Sequence, residues 1–210
     1  MDMKILAEKL VKDCLKKGAD AAEVYIETGR SLSLEVRNGE VETIQEAAGQ
    51  GVGFRVFVQG RMALAGSNDF KDSALDDAIG RAIEFARVTT ADEFNVLPDD
   101  PGQTAVEGLY DPEIARVSTD RKIELLKTLE KLSMKDPRIT KSAGAGYGEG
   151  ENEVFIANSH GLSKTTKGAT CAMGISVVAE KGDQKSSGGE YCSRRFWADL
   201  KPGAVLDRKS

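Results

Sequence analysis

Leu32, Leu34 and Val36 alternate with Ser33, Glu35 and Arg37, and the alternation runs directly into Asn38-Gly39. A two-residue apolar period belongs to a strand with one buried face. Asn-Gly supplies the positive φ that a type I′ turn needs at both central positions, so the chain must fold back on itself antiparallel here. Upstream, Ala22, Val24 and Ile26 alternate with polar neighbours in the same way. Downstream, GVGFRVFV at 51–58 places Val52, Phe54, Val56 and Val58 on one face, and Gln59-Gly60 turns the chain into a short strand around Met62 and Leu64. Gly51 and Gly53 mark a bulge or a close backbone approach.

Between the strands the period changes to that of helices. Ile5, Leu6, Leu10, Val11, Cys14 and Leu15 define an amphipathic helix over 3–17, stopped by Gly18. Asn68 or Asp69 is expected to cap a second helix that buries Leu75, Ile79, Ala82, Ile83 and Ala86 and ends near residue 88. Residues 92–117, with Pro98, Pro101 and Pro112, hold no period and read as a connection. Ser118 or Thr119 caps a third helix with Ile123, Leu126, Leu129 and Leu132 inward, stopped by Pro137. Strand-like stretches follow at 139–147, 152–158, 163–180 with a break at Gly168, and 184–195. The expected class is α+β, with mixed, largely antiparallel sheets and three amphipathic helices. The expected organisation is a first unit over 1–95, a connection over 96–117 and a second unit over 118–210. Both halves run helix, strand, turn, strand, and the run from turn glycine Gly39 to strand glycine Gly53 is echoed by that from Gly161 to Gly174, the pattern of a duplicated unit.

Charge and cysteine usage narrow the function classes. The chain carries 29 Lys and Arg scattered among 34 acidic residues, for a net charge of −5, so it lacks the clustered cations that a nucleic-acid backbone requires. Cys14, Cys171 and Cys192 form no CxxC pair, as expected of reduced thiols in a cytoplasmic protein. The N-terminus is broken by charge every few residues, and no apolar run approaches spanning length, so neither a signal peptide nor a membrane is expected.

No catalytic constellation can be read from the residues. His160 is the one histidine, which rules out HExxH spacing, and its place in Asn158-Ser159-His160-Gly161 suggests a turn. Ser159 beside it is not an activated nucleophile, because adjacent strand-end residues point in different directions. Cys171 and Cys192 lie on strand-like stretches and read as buried inert thiols. GAGYGEG at 144–150 lacks the Lys-Ser ending of a phosphate loop and is expected to be a flexible loop between strands. Arg194-Arg195-Phe196-Trp197 suggests amphipathic edge packing, and Asp76-Asp77 and Asp99-Asp100 read as solvated charge. Strand edges with polar faces could accept an extended peptide by main-chain pairing.

GADAAEVYIE (18–27), SLEVRNGEVE (33–42) and GVGFRVFVQGRMALAGSNDF (51–70) together resemble the N-terminal region of the TldD/PmbA family of peptidases. LYDPEIARVSTDRKIELLKTLE (109–130), DPRI (136–139) and IANSHGLS (156–163) are similar to its PmbA branch. The resemblance implies an α-β N-terminal portion of a protein about twice this length, continuing past Ser210 into a mostly β domain. It implies that zinc, held by two histidines, a glutamate and a distant cysteine, belongs only to that C-terminal domain or to a partner subunit. It further implies a dimer, with itself or with a TldD-like partner, that acts on unfolded peptides in the cytoplasm, with no metal or catalytic residue in this stretch. The family's older association with DNA gyrase implies a DNA role that the acidic composition opposes. A stand-alone peptide-binding or scaffold module is the alternative, and a hydrolase using Ser159, His160 or Cys171 a third.

Overall fold

The computed structural model describes residues 2–102 and 106–206. Its elements run α1 (Met3–Lys16), β1 (Ala21–Arg37), β2 (Glu40–Val58), β3 (Arg61–Ser67), α2 (Asp72–Val88), α3 (Glu113–Arg116), α4 (Thr119–Ser133), β4 (Ile139–Asn158), β5 (Ser163–Lys181), β6 (Gln184–Arg194) and α5 (Pro202–Leu206), with a 3-10 turn at Trp197–Asp199. The strands are ordered β3-β2-β1-β4-β5-β6 in one sheet. The α+β class expected from the sequence holds, with one antiparallel sheet in place of several and two short helices added to the three long ones. β2 and β3 pair from Val52↔Ser67 to Val58↔Arg61, and β5 and β6 from Cys171↔Arg194 to Lys181↔Gln184.

The chain packs as two units, and the four long strands each contribute to both. Met1–Gly29, Gly49–Ala105 and Asn152–Lys167 form the first unit; Arg30–Ala48, Val106–Glu151 and Gly168–Ser210 form the second. In the first, Leu6, Leu10 and Cys14 of α1 and Leu75, Ile79 and Ile83 of α2 cover Val24, Ile26, Phe54, Val56 and Phe155. Each such buried aliphatic or aromatic side chain contributes about 1.5–3 kcal/mol relative to exposure. Asp2 caps α1 by accepting from the Lys4 N–H at 2.9 Å. The Gln59-Gly60 turn has φ values of 51° and 73°, and Asp20 Oδ2 accepts the Gln59 N–H at 2.6 Å.

In the second unit, Ile123, Leu126 and Leu129 of α4 pack with Leu34, Val36, Ala145, Tyr147, Cys171, Met173 and Cys192. Ser118 caps α4 through its hydroxyl, as the sequence suggests. The Asn38-Gly39 turn has the positive φ values the dipeptide implies, 54° and 76°. Glu130, buried on α4, holds it: Oε1 accepts from Asn38 N–H at 2.9 Å and Oε2 from Gly39 N–H at 2.8 Å.

Three local expectations are corrected. GAGYGEG is not a loop but the middle of β4, and β5 passes through Gly168 without a break. Ala145 and Tyr147 anchor the β4 stretch in the core, while Gly144 takes a φ of 126° that other residues disfavour. α2 starts at Asp72 rather than after an Asn68 or Asp69 cap, because Ser67 and Asp69 form their own turn: Asp69 N–H donates to Ser67 Oγ and Lys71 N–H to Asp69 Oδ1, both at 3.0 Å.

Candidate functional site

Strand alternation in the second unit sends apolar side chains one way and glycines the other. Leu34 and Val36 go inward, leaving Glu35 and Arg37 on the opposite face; Ala145 and Tyr147 leave Gly144 and Gly146; Met173 and Ile175 leave Gly174 and Ser176. The outward positions, with Glu42 of β2 and Gly189–Tyr191 of β6, line an open cleft of about 550 Å³. Its floor is main chain and its walls are charged side chains, with Arg37 Nη1 3.4 Å from Glu42 Oε1 and Tyr191 69% exposed. Two floor glycines are required by packing. A Cβ at Gly174 would lie 2.9 Å from the Glu190 carbonyl oxygen, and one at Gly189 would lie 3.0 Å from that of Ile175.

On the helix side of the same strands lies a buried polar cluster. Lys122 Nζ is 2.6 Å from Glu149 Oε2, and both side chains are about nine-tenths or more buried. Tyr147 Oη donates to the same carboxylate at 2.5 Å, and the ammonium stands 5.6 Å above the Tyr147 ring. Burial, then the Glu149 carboxylate, pushes the Tyr147 phenol well above its ordinary range. Cys171 is pushed up to about 11, first by burial and then by Glu149 and Asp111, so its thiol stays protonated at neutral pH and is a poor nucleophile. Sequence reasoning missed this pair and the buried Glu130, although Lys122 and Glu130 both fall on the apolar stripe of α4 and could have been flagged there.

The residues weighed as candidates do not assemble into a hydrolytic site. Ser159 is bound to main chain, its N–H donating to the Ala22 oxygen at 2.8 Å and its Oγ accepting the Ala22 N–H at 3.1 Å. His160 occupies a turn, with its N–H on Asn158 Oδ1 and its Nδ1 3.3 Å from Asp99 Oδ1. Asp100 pairs with Lys164 at 2.7 Å, which holds its carboxyl below the usual range, and Asp76 pairs with Lys17 at 2.7 Å. Trp197 turns inward, its backbone N–H on Asp111 Oδ2 at 2.8 Å and its ring edge-on to Tyr147. Cys171 and Cys192 are both buried and free. Among the described residues no three His, Cys, Asp or Glu side chains are grouped to hold a metal ion, so the residues present do not fit a zinc site. Among the same residues no helix is long and apolar enough to cross a membrane.

Residues 22–86 match the PmbA/TldA metallopeptidase domain 1, and residues 112–209 match the PmbA/TldA metallopeptidase central domain. The chain belongs to the PmbA/TldD family. The family domains follow the chain in sequence order, whereas the packing units exchange strand segments between those two regions. Metalloprotease PmbA of Escherichia coli O157:H7 is 27% identical over 187 residues, covering 87% of this chain and 41% of the relative. A Bacteroides thetaiotaomicron protein whose crystal structure is named for modulation of DNA gyrase superposes with a TM-score of 0.86 at 28% identity, covering 99% of this chain and 49% of that one. TldE of Thermococcus kodakarensis shares the fold, with a TM-score of 0.83 at 24% identity, over 96% of this chain and 45% of TldE. The chain thus spans about half the length, or less, of the family members it matches.

Proposed function

We propose that this chain is the peptide-handling, non-catalytic part of a cytoplasmic PmbA/TldD-type peptidase subunit, and that the hydrolytic zinc is held by a further domain or by a TldD-like partner. The observation that carries the reading is the pairing of two consecutive family domains with an open, main-chain-floored cleft whose surroundings hold no activated nucleophile or metal ligand set among the described residues. A cleft floored by glycine main chain and walled by charge suits an extended, unfolded chain better than a compact apolar ligand. The net charge of −5 supports peptide over nucleic acid as the ligand.

The test is cleavage of an unstructured peptide by this chain alone, and by this chain combined with a zinc-bearing family partner, each with and without chelator. Turnover confined to the combination and abolished by chelator is the expected result. Chelator-resistant turnover by the chain alone would contradict it. Peptide binding without turnover in every combination would favour a stand-alone binding module.

A further inference from the structure

β2 lies between β3 and β1 in the sheet, but β3 pairs only with Val52–Val58. Glu40–Ala48 therefore has β1 on one side and no strand on the other among the described residues. Every residue of this segment is exposed, including Val41 at 40% and Ile44 at 56%, even though Leu34 and Val36 of the neighbouring strand are fully buried. A long, regular edge with exposed β-branched side chains is a ready template for one more strand. Natural sheets guard such edges with charged side chains, lysine above all, or with proline. β6 carries Lys185 and Arg194, but Glu40–Ala48 has no lysine, arginine or proline.

Charge points to the occupant. The period of two places Glu40, Glu42 and Glu46 on one face of the segment. Glu42 also lines the cleft beside Glu35, with Arg37 Nη1 3.4 Å from the Glu42 carboxylate. A second copy pairing through the same edge would bring carboxylates against carboxylates, which is destabilising. We propose that Glu40–Ala48 takes up an extended peptide as an added strand, and that its three carboxylates select lysine or arginine at alternate positions of that peptide. This rests on the peptide-handling reading above and adds to it a strand, a register rule and a charge preference.

The experiment measures fluorescence anisotropy with the 210-residue chain and a labelled peptide as long as Glu40–Ala48, alternating lysine with threonine and blocked at both ends. The lysine peptide should bind, and a glutamate-for-lysine version should not. The exposed triple substitution Glu40→Gln, Glu42→Gln, Glu46→Gln should weaken binding about tenfold, as expected for a few surface ion pairs. N-methylating alternate amides should abolish binding for one of the two possible phases, because one set of peptide N–H groups faces the protein edge. Equal binding of both charge versions, unchanged affinity of the triple variant, or full tolerance of both methylation phases would overturn the proposal. So would a dimer of this chain that strengthens in the triple variant, since a second copy would then own the edge. Failed binding beside intact chelator-sensitive cleavage by the assembled pair would sink this proposal alone, whereas intact binding without such cleavage would sink the peptidase reading and leave the strand site standing.

Discussion

The two units use similar elements around cores of different chemistry. The first seals an apolar core between α1, α2 and the sheet, and its buried polar side chain among the described residues, Asn158, is neutral and donates through Nδ2 to the Pro98 oxygen. The second packs the same kinds of strands against α4, yet encloses Lys122, Glu149 and the Tyr147 hydroxyl and anchors its hairpin turn on the buried Glu130. It also turns glycines outward where the cleft forms. An apolar core tolerates rearrangement at a cost set by volume, but a buried ion pair fixes partners in place and punishes the loss of either one. The second unit is therefore the better platform for a surface that must keep its shape.

The largest expected effect tests that contrast. Lys122→Met leaves the Glu149 carboxylate buried without its cation and should cost about 3–5 kcal/mol in urea unfolding, and adding Glu149→Leu should recover much of the loss. If Lys122→Met unfolds no more easily than wild type, the two cores do not differ in the way described. Leu10→Ala in the first unit should also cost about 2–5 kcal/mol, but there a second polar-to-apolar change offers no rescue.

Glu130→Ala removes the acceptor of two turn amides and should cost about 2 kcal/mol, with faster hydrogen exchange at Asn38 and Gly39. Unchanged exchange at those amides would mean that the Asn-Gly turn stands without α4. Gly174→Ala should cost about 1–3 kcal/mol through its clash with the Glu190 carbonyl, whereas Gly148→Ala, which meets nothing within 4 Å, should be nearly neutral. Equal melting temperatures for these two variants would remove the packing account of the cleft floor.

The thiols give the smallest effect and a pH signature. Burial raises Cys14 from its ordinary value of 9.0 to about 12 and Cys171 from 9.0 to about 11. Both stay neutral when folded while the unfolded thiols ionise, so their contribution is complete below pH 9 and is lost as pH rises through 11 and 12. Alanine at either position should flatten that alkaline decline, and native protein at pH 8 should resist iodoacetamide.

What could be read in the sequence was whatever local chemistry decides. The Asn38-Gly39 and Gln59-Gly60 turns, the Ser118 cap and the α1 stripe, except for the exposed Ile5 and Leu15, follow from residues within a few positions of one another. Long-range pairing erased other local signals. β1 continues through Thr28-Gly29 and β4 through Gly144–Gly150 because flanking residues anchor in cores the local sequence does not reveal. The exchange of strand segments between units was hidden for the same reason, since nothing within Leu34 or Val36 names α4 as the cover. The exposed run Glu40–Ala48 was hidden too, because its sequence looks like a continuation of the hairpin and only the limit of β3 pairing leaves it uncovered.

The most direct test of the central claim is the rate of peptide cleavage by this chain combined with a zinc-bearing family member, the partner proposed above, measured for wild type, His160→Ala and Cys171→Ala. Equal rates, once folding is verified, are what a peptide-handling chain with its chemistry elsewhere predicts. Loss of turnover in either folded variant, with peptide affinity retained, would place the chemistry inside this chain and contradict the account.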